Sequence, residues 1–335
     1  MKKLLILPYF GEFNCYFKLW LISCGENKNI DWLIITDSDV QESVPNNVKI
    51  VRKTFEDLKN EFQKKFNFKI SLEKPYKLCD YKQFYGYLFE EYLEDYDFWG
   101  YCDCDVIFGD IMRFLPESIF ETYDKILRTG HLSFVRNTKA INELFKKYDT
   151  YKIILSSPVI YGYDESIDGY HLGFAGELLD NGYHFYQNDE LVADVDFRHY
   201  PFYIVSDATK ACVFLYEKGH IFRINRVDNE IMKTEMMYLH LQKRQMEIID
   251  TLEDDSYLIY PNENRKYNEK TLYEDSFWEN ALNEKNGYFD CKQEKKENLK
   301  RDVMRLIHEP KKIDSLLYRF TGHKDKNEKN NNCCK

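Results

Sequence analysis

Apolar and polar positions alternate along the first part of the chain in a pattern that predicts strands and helices in turn. Short apolar runs rich in β-branched and aromatic residues predict strands at residues 4–7, 32–36 and 48–51. Helical periodicity predicts a helix over residues 14–24, which ends at Gly25. Alternating strands and helices are typical of a doubly wound sheet, so we expect an α/β fold.

Two carboxylates, one residue apart, stand at the end of an apolar stretch. Asp103 and Asp105 lie between the aromatic run 98–102 and the apolar residues 106–108. In an extended chain both side chains point to the same side, where they can share a divalent cation such as Mn²⁺ or Mg²⁺. The alternative is a pair of solvated aspartates near a turn. The apolar surroundings favour the metal, because buried carboxylates need a cation or hydrogen-bond donors.

Paired carboxylates of this kind suit one metal-dependent chemistry. A cation held by them can bind a diphosphate and neutralise the charge that develops as a nucleotide leaves. On this hypothesis the chain transfers a sugar from a nucleotide-sugar donor. A metal-dependent nucleotidyltransferase or phosphotransferase and a non-catalytic sugar-binding module remain alternatives. Dehydrogenases and kinases are disfavoured, because the chain has no Gly-x-Gly-x-x-Gly and no Walker-type lysine loop.

Length, charge and cysteine content limit the classes further. The 335 residues, 44% of them hydrophobic, can bury a sizeable core. The net charge of −10 argues against a nucleic-acid partner. Nine cysteines without metal-type spacing indicate reduced thiols and a cytoplasmic protein. No stretch reaches the roughly 18 apolar residues of a membrane span, and the N-terminus is expected to be a strand, not a signal peptide.

The C-terminal part of the chain differs in charge from the rest. Residues 292–335 carry 13 Lys and Arg against 7 Asp and Glu, and residues 299–320 have roughly helical apolar spacing. A helical hairpin packed on the main domain and a peripheral contact with the inner face of an anionic membrane are both consistent with this pattern. We expect a catalytic domain over 1–250, a mostly helical appendage over 251–322 and a disordered tail over 323–335.

The loops after the first two predicted strands are candidates for contact with a nucleotide. Ligands of doubly wound sheets bind at the carboxyl ends of strands, so these loops are expected to face the base and ribose. Ordinary strand-to-helix turns are the alternative. The candidate residues are Pro8, Tyr9, Phe10, Gly11, Thr36 and Asp37.

Residues 74–86, the helical run 87–93 and the acidic pair together resemble a family of enzymes. They look like the bacterial polysaccharide-locus glycosyltransferases of the GT-A fold, which are distantly similar to retaining galactosyl- and mannosyltransferases. The resemblance covers roughly residues 1–250. It implies a GT-A-like doubly wound mixed sheet flanked by helices. It also implies a Mn²⁺- or Mg²⁺-dependent hexosyltransferase that uses a UDP-sugar, such as UDP-galactose or UDP-glucose, and a glycan or lipid-linked acceptor in surface polysaccharide synthesis.

The resemblance also implies roles for two residues before the acidic pair. In the relatives a helix with an Asp-x-x-Arg motif supplies an acidic and a basic side chain to the donor sugar and phosphates. Asp80 and Lys82 lie at comparable positions here. The spacing differs, since Lys82 follows Asp80 by two residues where the relatives have an Arg three residues on. As alternatives, Asp80 caps the helix that follows and Lys82 lies on its solvated face.

Later residues complete the implied site. A late histidine is the third metal ligand of the retaining relatives and a nearby lysine contacts the diphosphate, which here points to His240 and Lys243. A histidine bonded to a backbone carbonyl, with a solvated lysine, is the alternative. An acidic residue of the relatives touches the transferred sugar, and Asp164 and Glu165 are the candidates, unless they belong to a surface turn. His131 is expected to be a packed strand residue. Retention and inversion both remain open, although the late histidine with a following lysine favours retention.

Overall fold

The structure is a computed structural model that describes residues 1–163, 173–242, 244–248, 256–285, 288, 296, 299 and 300, without the side chains of 208 and 209. By contacts the chain divides into two units, Met1–Phe289 and Asp290–Lys335. The elements below all lie in the first unit. The predicted tail over 323–335, and the predicted helices over 299–320 beyond residue 300, lie outside the described residues.

The predicted strands near the N-terminus form the centre of a mixed sheet. In the described residues this sheet has seven strands in the order β3–β2–β1–β4–β7–β6–β8. Strands β1, β2, β3 and β4 are parallel, whereas β7 runs antiparallel to β4. The bounds are β1 (Lys3–Pro8), β2 (Asp31–Thr36), β3 (Val48–Arg52), β4 (Phe98–Cys102), β6 (Lys125–Ile126), β7 (Leu132–Arg136) and β8 (Phe185–Tyr186).

Both faces of this sheet are buried under helices. Leu4 and Ile6 of β1 pack in one apolar cluster and Leu5 and Leu7 in another, because successive side chains of a strand point to opposite faces. Helix α1 lies on one face and α2 on the other. The helices are α1 (Phe17–Glu26), α2 (Phe55–Lys64), α3 (Tyr85–Leu88), α4 (Ile111–Phe114), α5 (Glu117–Thr122), α6 (Lys139–Asn142), α7 (Thr150–Ser156), α8 (Gly173–Asp180) and α9 (Asp275–Leu282).

Two predicted helices are shorter than expected. The run over 87–93 becomes α3 followed by a 3₁₀ turn, Glu90–Tyr92. Helix α1 begins at Phe17 instead of residue 14, because the Asn14 side chain donates to the Cys104 carbonyl at 2.9 Å and holds this part of the chain outside the helix. The longest 3₁₀ segment, Pro75–Phe84, crosses the region of Asp80 and Lys82.

A second, mainly antiparallel sheet follows the first in sequence. Its order is β13–β12–β11–β16–β17–β15, and β10 pairs with β11. The strands are β10 (Phe202–Ile204), β11 (Asp207–Glu217), β12 (His220–Val227), β13 (Glu230–Met236), β15 (Glu247–Ile248), β16 (Ser256–Tyr260) and β17 (Glu263–Lys266).

Residues 256–266 lie in the expected helical appendage, yet they form two strands. The side chains of β16 alternate between two apolar clusters, with Tyr257 and Ile259 in one and Leu258 and Tyr260 in the other. This period of two suits a strand buried on both faces, and β16 pairs with β11. Helix α9 packs against the second of these clusters.

A short third sheet, β5–β14–β9, carries the site described next. Its strands are β5 (Val106–Phe108), β9 (Val192–Asp194) and β14 (Tyr238–His240). None of the helices in the described part of the chain has both the length and the apolar character to cross a membrane.

Candidate metal centre

The acidic pair lies between two strands of different sheets and is held by its backbone. Asp103 follows β4 and Asp105 precedes β5. The Trp20 indole N–H donates to the Asp103 carbonyl at 3.0 Å, and the Leu241 N–H donates to the Asp105 carbonyl at 2.9 Å. With Asn14 on the carbonyl of Cys104, every carbonyl of the motif accepts a hydrogen bond. These three hydrogen bonds therefore hold the backbone from which the two carboxylates project.

Strand β14 brings His240 to this motif. In the register of the third sheet His240 pairs with Val106 on one side and with Asp194 on the other. The imidazole Nε2 lies 3.5 Å from Asp105 Oδ1, and its Nδ1 lies 2.7 Å from Asp194 Oδ1. One ring nitrogen thus faces the acidic pair while the other is bonded to a further carboxylate.

Asp103, Asp105 and His240 form a cluster that could hold a metal ion. One ligand atom from each lies within 4.8 Å of the others. Their side chains are 36%, 28% and 13% exposed, so a solute can reach them. Two carboxylate oxygens and one imidazole nitrogen are a donor set that suits Mn²⁺ or Mg²⁺.

Lys82 adds a positive charge to the edge of this cluster. Its buried ammonium donates to Asp103 Oδ1 at 2.7 Å and to the Gly130 carbonyl at 2.8 Å. The Lys82 side chain is only 10% exposed. The alternative prediction, that Lys82 lies on a solvated face, is therefore wrong.

The environment shifts the pKa values of the cluster. Desolvation raises the pKa of Asp103, Lys82 lowers it and Asp105 raises it, with a net increase. Burial by itself lowers the pKa of His240, but the hydrogen bonds and negative charges of Asp105 and Asp194 raise it to about 10. Because a metal ligand must offer a free lone pair, an ion that binds Nε2 displaces a proton.

The two candidate nucleotide loops lie together at the same edge of the sheet. The Gly11 N–H donates to Asp37 Oδ1 at 3.1 Å, and the Ser38 hydroxyl donates to the Gly11 carbonyl at 2.6 Å. Burial raises the pKa of Tyr9, and Cys104 and Asp105 of the acidic motif add to the shift. The Tyr9 ring stacks on Phe13 with centroids 4.7 Å apart.

Pro8, Phe10 and Thr36 of these loops have contacts within the fold. Pro8 is the last residue of β1, and the Phe10 ring packs edge-on against Phe55 at 5.3 Å. Thr36 is fully buried, and its hydroxyl oxygen accepts from the Ser38 N–H at 3.1 Å.

The Asp80 carboxylate is bonded to residues outside the metal cluster. Its fully buried carboxylate accepts from Lys77 Nζ at 2.7 Å, from the Tyr161 N–H at 2.9 Å and from the Tyr163 N–H at 3.1 Å. Among the described residues, these contacts bind the 3₁₀ segment to the chain after α7. The other predicted residues, Asp164, Glu165 and Lys243, lie outside the described residues.

Sequence reasoning missed Asp194, and it expected His131 to be a packed strand residue, whereas His131 is packed but lies in a turn. His131 is buried just before β7, its Nδ1 is 2.7 Å from the Tyr238 hydroxyl and its ring stacks on His240 with centroids 4.1 Å apart. Burial holds the pKa of His131 well below its usual value. Asp194 has only a weak sequence signal, because an acid that ends a three-residue strand is indistinguishable from a surface carboxylate.

Comparisons with known proteins bear on the family and the fold. A family model described as "Family of unknown function (DUF6625)" matches residues 5–268. No curated protein matches the chain. The galactosyltransferase LgtC in complex with donor and acceptor sugar analogs is similar with a TM-score of 0.35 and 10% identity, over 58% of this chain and 76% of that chain. An active-site mutant of LgtC has a TM-score of 0.31 and 9% identity, over 58% and 75%. Both TM-scores lie under 0.5.

Proposed function

We propose that this chain, which belongs to the DUF6625 family, is a cation-dependent glycosyltransferase that moves a sugar from a nucleotide-sugar donor to a glycan acceptor. The observation that supports this proposal is the convergence of Asp103, Asp105 and His240 within 4.8 Å of one another. The cluster lies beyond the carboxyl end of β4, at the edge where the loops after β1 and β2 also meet. This is the edge at which sheets of this kind bind their ligands.

The residues of the cluster fit a hard divalent cation. Two carboxylates supply oxygen ligands, and the bond between Nδ1 of His240 and Asp194 leaves Nε2 directed towards Asp105. A ligand histidine in proteins characteristically donates its second N–H to a carboxylate in this manner. When bound, Mn²⁺ or Mg²⁺ supplies positive charge to a diphosphate leaving group.

Other residues of the chain are expected to contact the nucleotide-sugar donor. Lys82 presents an ammonium beside Asp103 and adds positive charge on the phosphate side of the site. We expect Tyr9 and the loops after β1 and β2, which the hydrogen bond from Gly11 to Asp37 links, to contact the base and ribose of a UDP-sugar. Further along the chain, the predictions stand that Lys243 contacts the diphosphate and that Asp164 and Glu165 hold the transferred sugar.

We expect the reaction to retain configuration, with a glycan or a lipid-linked molecule as acceptor. In that case the departing phosphate oxygen can accept the proton of the acceptor hydroxyl, and the protein needs no separate general base. The predictions of a cytoplasmic location, and of contact between the basic C-terminal segment and the inner membrane, accompany this proposal.

A thermal-shift experiment tests the proposal with the full chain. UDP, GDP, CDP and dTDP are each added with and without Mn²⁺, and we expect one nucleotide to raise the melting temperature by several degrees only with the metal. Asp105→Asn should abolish this shift. Asp110→Asn is the matched control, because Asp110 caps α4 through the Arg113 N–H and an asparagine keeps that cap.

Turnover provides the second readout. Release of the nucleotide from a UDP-sugar should fall at least about 100-fold in Asp105→Asn, which corresponds to about 3 kcal/mol of lost charge stabilisation. Nucleotide binding that is equally strong without Mn²⁺, or unchanged turnover in Asp105→Asn, would contradict a metal-dependent transferase.

A further inference from the structure

Asp194 touches the metal cluster without being one of its three members. It ends β9, and its Oδ1 accepts from His240 Nδ1 at 2.7 Å and from Gln242 Nε2 at 2.8 Å. The register of the third sheet sets the first contact, since His240 and Asp194 are partners in the parallel pair β14–β9. The backbone pairing therefore brings the two side chains next to each other.

Gln242 holds the carboxylate from the far side. Its backbone has φ = 54°, in the left-handed region, immediately after β14. A non-glycine residue there costs roughly 1 kcal/mol, so another interaction must compensate. The turn brings the Gln242 amide back onto Asp194, and this carboxylate then has two donors on one oxygen.

A second metal-like group, His131, Asp194 and His240, lies around the same carboxylate. Its two imidazole rings are stacked, with centroids 4.1 Å apart and planes inclined by 23°. The lone pair of a ring nitrogen lies in the plane of the ring, so two face-to-face rings cannot both direct a lone pair at one ion. This geometry excludes His131 and His240 as joint ligands and leaves orientation as the role that fits Asp194.

We propose that Asp194 is a positioning residue of the metal centre, which holds the Nδ1–H of His240 and so presents Nε2, with its lone pair, to the cation between Asp103 and Asp105. The inference rests on the proposed function, because it assumes that the cluster binds a cation. It adds a residue that lies outside the ligand set and determines which nitrogen of His240 acts as ligand.

The affinity for Mn²⁺ alone tests this role. The full chain is titrated with Mn²⁺, and free Mn²⁺ is measured by electron paramagnetic resonance. Asp194→Ala should raise the Kd about 10- to 100-fold, because it leaves the Nδ1–H of His240 without its acceptor and nothing then fixes the tautomer that presents Nε2 to the cation. Asp194→Glu, which keeps the charge, should recover part of the affinity. Asp228→Asn, in the exposed turn between β12 and β13, should bind as the native chain does.

A second readout separates orientation from general damage to the fold. With Mg²⁺ bound, ¹⁵N NMR of the histidine side chains should show His240 protonated at Nδ1 and not at Nε2, with the signals assigned by His240→Gln. In Asp194→Ala we expect the Nε2–H tautomer to appear. A native tautomer in that variant, or a Kd within twofold of the native value, overturns the role of Asp194. Failure of the native chain to bind Mn²⁺ overturns the proposed function instead.

Discussion

At the scale of single residues, Trp20 shows how one buried side chain positions a functional group. It is fully buried in α1, stacks on Phe17 at 5.5 Å and packs against Phe108 of β5 at 6.3 Å. Its N–H donates to the Asp103 carbonyl. Trp32 of β2 packs on the same Phe108 ring at 5.8 Å, but in the described part of the chain its N–H has no hydrogen-bond partner.

This difference makes a matched pair of substitutions informative. Trp20→Phe keeps an aromatic ring but leaves the Asp103 carbonyl without its donor, so we expect a loss of about 1–3 kcal/mol in unfolding free energy and weaker Mn²⁺ binding. Trp32→Phe removes a similar volume and no such bond, and should leave the Mn²⁺ affinity unchanged. Urea denaturation and Mn²⁺ titration measure both quantities. Equal Mn²⁺ affinities in the two variants would show that the indole bond does not position Asp103.

At the scale of elements, α8 carries an acidic side chain on its buried face. Glu177 is 8% exposed, and its Oε1 accepts from the Tyr163 hydroxyl. Its Oε2 has no partner among the described residues. Burial raises the pKa of Glu177 to about 7, against the opposing effect of the Tyr163 hydrogen bond. The helix therefore packs best with this carboxyl group protonated.

The stability of the fold should consequently depend on pH through Glu177. The native state holds the proton up to about pH 7, whereas the unfolded chain releases it near its ordinary pKa of about 4.3, so stability falls as the pH rises between these values. Over this whole interval the difference amounts to about 4 kcal/mol. Glu177→Gln should remove this decrease between pH 5 and pH 8 in urea denaturation, whereas Glu94→Gln at an exposed position should not. A variant with the native pH dependence would contradict the raised pKa.

At the scale of the whole unit Met1–Phe289, Arg244 ties the third sheet to the second. It is 4% exposed, follows β14, and its guanidinium donates to four carbonyls of the segment after β9 and to Asn262 Oδ1 in the β16–β17 turn. The four carbonyls belong to Asp196, His199, Tyr200 and Pro201. That segment continues directly from Asp194 at the end of β9.

Arg244→Met should be strongly destabilising. It preserves much of the side-chain volume but leaves several buried carbonyls without a donor, and we expect a loss of about 4 kcal/mol in unfolding free energy. Arg265→Met is the control, because Arg265 pairs with Glu263 near the surface and is worth about 1 kcal/mol or less. Urea denaturation of the two variants decides the matter. A similar, small effect in both would mean that the carbonyls find other donors.

The local sequence pattern was sufficient to predict part of the fold and part of the candidate site. The three strands near the N-terminus are where the short apolar runs predict them, and Asp103 and Asp105 do reach one cluster at the end of a buried strand. Residues 256–266 are different, since their apolar run suits either a helix or a strand until β11 provides a partner. The role of Asp80 had the same ambiguity, because its partners Tyr161 and Tyr163 lie 81 and 83 positions away.

By itself, the sequence determined an α/β fold and a pair of carboxylates that point to the same side at the end of a buried strand. Both features follow from the short-range periodicity of the chain. The family resemblance already points to His240, but only the tertiary structure decided that Asp194 lies against it and completes the surroundings of that pair. Their contacts arise from the pairing of β14 with β5 and β9, strands that are distant in sequence. Such pairings depend on the packing of the whole core, which no local pattern contains.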